Sequence, residues 1–259
     1  MRQALHYFFW ALVLTLSIIG LSLIPKNAEA SDLIGHGTGY FITDDGIGVT
    51  NVHVADPLKV DMMMGLFVKN LEIMANVNGV KYPIQIIAED VANDVVIFKV
   101  MGIGKTKGLP VSATLPKQGA DVMLVGYGIT PLVSYSSFGT FNGGFPLDRS
   151  GGASLETATI LMYPGHSGSP LIANGQVVGT VEGVPIAANA PMLGYSLFIT
   201  ENVVTSLAKT ANIHLKTLTI IQGLVFNSLS KQQQIEVVKQ SVFSVELYGD
   251  VITIKNVNE

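Results

Sequence analysis

The chain has 259 residues, with 15 Lys and Arg against 19 Asp and Glu, 48% apolar residues and no cysteine. This length allows one or two domains with a sizeable core, and the cysteine count excludes disulfides and cysteine-ligated zinc or iron–sulfur sites. The formal charge of −4 is spread along the chain without a block of like charge, which argues against a polybasic nucleic-acid binder. Charged residues make up 13%, against ~25% in an average soluble domain. Low charge with high apolar content argues against disorder. It leaves a membrane protein, or a β-rich domain behind an apolar leader.

Residues 1–30 read as an export leader. Arg2 supplies a positive start, residues 8–24 form an uncharged apolar run, and Pro25 breaks it. Ala28-Glu29-Ala30 then has the small-x-small form of a cleavage site. Two outcomes are open: cleavage after Ala30, giving a periplasmic or secreted protein, or retention of residues 8–24 as a membrane anchor. Both send the rest of the chain out of the cytoplasm.

From residue 31 on, short apolar runs alternate with Gly, Asn, Asp and Pro. Residues 39–42, 47–50, 66–68, 84–87, 95–100, 122–125, 171–172, 177–181 and 195–199 read as strands. Asp45-Gly46, Asn78-Gly79 and Asn174-Gly175 are tight-turn signals between such runs. Many short strands without intervening long helices indicate an all-β barrel or sandwich rather than a parallel α/β sheet. The first convincing helix spans residues 202–211. A second, over 231–242, follows Ser230 as N-cap, with Gln233 completing a capping box. Residues 243–248 and 251–254, flanking Gly249-Asp250, read as a β-hairpin. Residues 217–259 therefore form a small helix-plus-hairpin extension to a body over 31–216.

Three segments carry chemistry. Ser167 stands in Pro164-Gly165-His166-Ser167-Gly168-Ser169-Pro170, just before a strand. A nucleophilic serine needs an exposed Oγ and main-chain N–H groups aimed at a developing oxyanion, and flanking glycines permit that backbone. His53 stands in Thr50-Asn51-Val52-His53-Val54, at the end of a strand. Asp94, in Ala92-Asn93-Asp94-Val95, directly precedes an apolar strand, where it can accept from a histidine Nδ1–H. Each signal alone has an ordinary reading: a Gly/Ser turn, a satisfied polar histidine, a turn aspartate.

Together, in the order His, Asp, Ser, they resemble the chymotrypsin-fold serine proteases. The closest likeness is to cysteine-free bacterial members such as the high-temperature-requirement proteases and glutamyl endopeptidases. The matching pieces are G-T-G-Y-F-I, T-N-V-H-V, A-N-D-V-V-I-F-K-V, V-G-Y-G and G-H-S-G-S-P-L, within residues 34–212. The resemblance implies an all-β fold of two antiparallel six-stranded β-barrels with the site between them. His53 and Asp94 would fall in the first barrel and Ser167 in the second. It also implies roles: Ser167 the nucleophile, His53 the base and then acid, Asp94 the residue that fixes the His53 tautomer, and the N–H groups of Gly165 and Ser167 the oxyanion hole. It implies protein or peptide substrates and no metal or organic cofactor.

Departures from that family are informative. His166 precedes the serine where relatives usually carry Asp or Asn, and it is expected to contribute mainly backbone. Asp90 rivals Asp94 but lacks the following apolar strand. Leu161 and Met162 fall where the specificity pocket of the family has its base, and Val181 where glutamyl endopeptidases carry a histidine. These residues point away from Arg, Lys or Glu at P1 and toward a small or medium apolar side chain. Glu182 nearby has two readings: a charge that alters this preference, or a solvated charge at a strand end. Only about 43 residues follow Lys216, too few for the ~90-residue PDZ domain that the high-temperature-requirement relatives add. A catalytically silent binding module on the same fold is the competing reading.

Overall fold

The computed structural model describes residues 31–56, 67–112, 114–145, 155–184, 186–187, 190–191 and 194–252. The leader, residue 66 of an expected strand and the end of the expected hairpin at 253–254 lie outside the described residues. In chain order the elements are β1 (Asp32–Phe41), β2 (Ile47–Thr50), α1 (Val52–Ala55), β3 (Phe67–Val77), β4 (Val80–Asp90) and β5 (Val95–Val100). Then come β6 (Asp121–Gly126), β7 (Tyr135–Phe145), β8 (Leu155–Thr159), β9 (Pro170–Ala173) and β10 (Gln176–Gly183). A two-stranded ribbon, β11 (Ile186–Ala187) with β12 (Ala190–Pro191), precedes β13 (Ser196–Thr200), α2 (Glu201–Thr210), α3 (Ile220–Ser228), α4 (Lys231–Lys239) and β14 (Val242–Ile252).

Two closed antiparallel barrels result, ordered β1-β14-β3-β4-β5-β2 and β10-β13-β8-β7-β6-β9. The fully apolar strands make sense in this arrangement. In β5, Val96, Phe98 and Val100 fill the first barrel, while Val95 and Ile97 face a core shared with the second. In β6, Val122 and Leu124 fill the second barrel, while Met123 and Val125 face the shared core. A strand buried on both faces shows no apolar–polar alternation, which is why these runs read as continuous. At Asn78-Gly79 and Asn174-Gly175 both residues have positive φ, the conformation of a two-residue hairpin turn.

The expected hairpin over 243–254 is instead one strand, and β14 belongs to the first barrel. It lies between β1 and β3, pairing Val242 with Tyr40 and Ser244 with Asn76. Gly249 is not a turn. It sits at a register shift between Tyr248 and Asp250, and the Asp250 carboxylate accepts from Asn70 Nδ2 at 2.8 Å. A Gly-Asp pair inside a strand pattern fits a bulge as well as a turn. Phe243 is fully buried, its ring 4.4 Å from Phe41 and 6.1 Å from Phe98 between centroids. Among the described elements of residues 217–252, α3 and α4 lie outside the barrels. The capping box of α4 is formed by Ser230 and Gln233 as its sequence indicates. Helix α3 carries the same signature, Thr219 with Gln222, and was not expected.

The two barrels are also tied by a buried polar contact. Tyr40 Oη of β1 lies 2.8 Å from Thr180 Oγ1 of β10, and both donate at 3.4 Å to Glu201 Oε1 at the start of α2. Burial pushes the Glu201 carboxyl up to about 8, against the opposing effect of these two donors. A raised carboxyl holds its proton in the folded chain while the unfolded chain ionises. Its contribution is therefore complete below the ordinary 4.5 and is lost as pH rises toward 8. Glu201→Gln keeps the shape without the titration. We expect the stability of the variant relative to wild type to be greater at pH 8.5 than at pH 5, by an amount of order 3–4 kcal/mol read from denaturation midpoints. Parallel pH dependence in the two proteins would contradict this.

Candidate active site

Strand β2 delivers the chain to Asn51, whose carbonyl accepts the N–H groups of Val54 (3.3 Å) and Ala55 (3.1 Å). His53 therefore sits in the single turn α1, not at a strand end as its β-branched neighbours suggested. Tertiary packing decides this: Val52, Val54 and Ala55 are buried in the first barrel, and His53 is left at its rim.

Asp94 meets His53 at two points. Its Oδ1 accepts the His53 main-chain N–H at 2.9 Å, and its Oδ2 lies 2.6 Å from His53 Nδ1. The turn that presents Asp94 holds it at φ 57°, the left-handed region that Asp tolerates better than most residues. Its carbonyl accepts Asn51 Nδ2 at 2.9 Å, so the buried Asn51 clamps the aspartate to the histidine's own turn. Asp90 is occupied otherwise: its two carboxylate oxygens accept the main-chain N–H and Nδ2 of Asn93.

Ser167 is nearly buried and its Oγ donates to the main-chain carbonyl of Glu182 at 3.1 Å. Its loop holds two peptide units from their carbonyl sides. A trans peptide unit directs its C=O and N–H oppositely. Pro164 O accepts Ile129 N–H at 2.7 Å, which turns the Gly165 N–H to the other side. His166 O accepts Ser169 N–H at 2.9 Å, which does the same for the Ser167 N–H. Gly165 has φ 95°, and a Cβ there would stand 2.4 Å from Tyr127 O, so only glycine fits.

Thr38 joins this loop to the first barrel, and sequence reasoning missed it. Its N–H donates to Ser167 O (2.9 Å) and its Oγ1 to Gly165 O (2.9 Å), while that same Oγ1 accepts Tyr127 N–H (2.8 Å). Thr50 Oγ1 in turn donates to Thr38 O at 2.6 Å. The signal was present in Gly37-Thr38-Gly39, a hydroxyl-bearing residue, buried here, flanked by glycines that permit close approach; Gly37 itself lies between the Val54 side chain and Ser167 O. Thr38→Val removes the hydroxyl and leaves two main-chain groups without a partner. We expect a loss of ~2–4 kcal/mol in stability, read as a lowered denaturation midpoint. An unchanged midpoint would show that the hydroxyl is dispensable.

The remaining expected residues are placed less uniformly. Leu161 is half exposed and Met162 packs on the second barrel's core. Val181 is fully buried in that core, so its side chain lines no open pocket. Its N–H and C=O pair with Ser169 and Gly168 instead, which places the Ser167 loop against β10. Glu182 is buried, 4% exposed, and is not a solvated strand-end charge. His166 is fully buried, and burial followed by the proximity of His36 pushes it down to about 4.

The sequence matches the family model of the trypsin-like peptidase domain over residues 37–179. That is more than half of the chain, and it includes His53, Asp94 and Ser167. The chain belongs to the trypsin-like peptidase family, and protein substrates follow from that membership. Among solved structures it is similar to the Rv3671c protease of M. tuberculosis. The active form is 23% identical, with a TM-score of 0.54 over 71% of this chain and 76% of that one. The inactive form is 24% identical, with a TM-score of 0.54 over 78% and 95%. A serine-to-alanine mutant in the inactive form is 23% identical, with a TM-score of 0.52 over 68% and 81%. Likeness at this identity shows a shared fold. No curated protein matches the sequence.

Proposed function

We propose that the protein is an exported serine endopeptidase that cleaves peptide bonds through His53, Asp94 and Ser167. The observation that carries the reading is the two-point bond between Asp94 and His53, at 2.9 and 2.6 Å. A carboxylate that accepts from both the main chain and Nδ1 of one histidine fixes the ring's position and puts its proton on Nδ1. Nε2 is then the basic nitrogen.

In the proposed mechanism the Ser167 hydroxyl turns from Glu182 O to His53 Nε2 when substrate enters. Oγ attacks the scissile carbonyl carbon as its proton passes to Nε2, and the carbonyl oxygen becomes an oxyanion held by the Gly165 and Ser167 N–H groups. Each such donor is typically worth ~10²–10³ in kcat. The imidazolium, stabilised by Asp94, then protonates the leaving amine as the C–N bond breaks. Water repeats the sequence on the acyl-enzyme and releases the acid. A small or medium apolar P1 residue is proposed from Leu161 and Met162. Export is proposed from residues 1–30, whether cleaved after Ala30 or retained as an anchor.

Turnover of unfolded casein tests the reading. The wild-type protein is expected to digest it, and His53→Ala and Ser167→Ala to lose that activity. Digestion that survives Ser167→Ala would remove Ser167 as the nucleophile, and a wild-type protein that binds casein without cleaving it would favour the silent-module alternative.

A further inference from the structure

We propose that His166 is a positioning residue whose neutral imidazole braces the oxyanion loop by accepting the Tyr163 N–H at Nδ1. The inference rests on the reading of Ser167 as nucleophile and of Gly165 N–H as an oxyanion donor.

Two bonds join Tyr163 and His166. The His166 N–H donates to Tyr163 O at 3.0 Å, closing a turn over Pro164-Gly165. The Tyr163 N–H donates back to His166 Nδ1 at 3.0 Å. The first bond belongs to many turns. The second exists only because the side chain supplies an acceptor. It ties the strand-side entry of the loop to the residue beside the nucleophile, and Gly165 lies inside the closed ring. The imidazole cannot swing away: it is fully buried, and a Cβ on Gly128 would stand 2.7 Å from its Nε2. The second glycine of V-G-Y-G is thus the space this ring occupies.

An acceptor Nδ1 requires the proton on Nε2, and an imidazolium has no acceptor to offer. The brace therefore exists only with the ring neutral. Burial is the main cause that favours that state, and His36 adds to it. His36 of β1 faces it, with Glu246 of β14 acting on His36 in turn. The rings of Tyr135 from β7 and Tyr163 from the loop itself lie 6.4 and 5.9 Å away. Tyr127, after β6, is within the influence of the same Glu246.

An asparagine Oδ1 occupies nearly the place of a histidine Nδ1 relative to the main chain, accepts the same bond and does not titrate. The experiment compares His166→Leu and His166→Asn in the full chain, measuring kcat, KM and the rate of fluorophosphonate acylation. The Leu variant is expected to lower kcat and acylation by about 100-fold with KM changed less than about threefold, as loss of one oriented oxyanion donor predicts. The Asn variant is expected to recover most of that loss. A folded Leu variant with wild-type kcat, or an Asn variant as slow as Leu, overturns the brace. Should neither variant fold, the ¹⁵N shifts of His166 in the wild-type protein decide: an unprotonated Nδ1 with Nε2–H supports it, and a protonated Nδ1 overturns it. Absence of any adduct on wild-type Ser167 would instead defeat the catalytic reading, and leave the tautomer measurement to judge the brace.

Discussion

Deleting residues 242–259 is expected to unfold the first barrel and abolish peptidase activity. Strand β14 lies inside that barrel, so its loss exposes the main-chain groups of both β1 and β3. It also removes Phe243, Val245 and Leu247, all buried. At ~1.5–3 kcal/mol for each buried side chain, the loss is roughly 5–9 kcal/mol, comparable to the whole stability of ~5–15 kcal/mol typical of a domain. His53 and Asp94 are mounted on this barrel, and β1 carries Thr38. The second barrel draws all six strands from residues 121–200. Hydrogen exchange should therefore show protection lost first over residues 32–100. Phe243→Ala is a milder version, expected to cost ~3–5 kcal/mol. A truncated protein that melts and cleaves like the full chain would mean that β14 is dispensable.

Asp94→Asn is expected to lower kcat by about 10⁴ with little change in KM. The reason is a count of donors. Asp94 receives two from one residue, the main-chain N–H on Oδ1 and the ring on Oδ2. An asparagine offers one oxygen and one NH₂. Whichever way it turns, either the main-chain bond is lost or the NH₂ faces Nδ1 and moves the ring's proton to Nε2, where the base should be. Steady-state kinetics on a peptide ester read the effect directly. A variant retaining a tenth of wild-type kcat would remove Asp94 from the proposed machinery.

What was legible in the sequence was local. The strands over 47–50 and 95–100 coincide with β2 and β5 because apolar runs bounded by Gly and Asp leave few alternatives. Strand β7 was missed because Tyr135–Phe145 is rich in Ser, Gly and Asn. Gly143 there, at φ 96°, marks a bulge that breaks the alternation. The place of β14 was not legible because its partners in β1 and β3 lie far back in the chain, and no short-range signal encodes such pairing. The His, Asp and Ser segments stood out by order and neighbours. Thr38, Asn51 and the Nδ1 of His166 did not, since they act through hydrogen bonds to main-chain atoms that are distant in sequence or set by a side-chain tautomer.

Where a fluorophosphonate attaches tests the central proposal most directly. Intact-mass measurement followed by peptide mapping of the labelled protein is expected to show a single adduct, on Ser167, formed faster than on free serine and absent after prior unfolding. An adduct on another residue, or none on a folded protein that still cleaves casein, would contradict the assignment of Ser167 as the nucleophile.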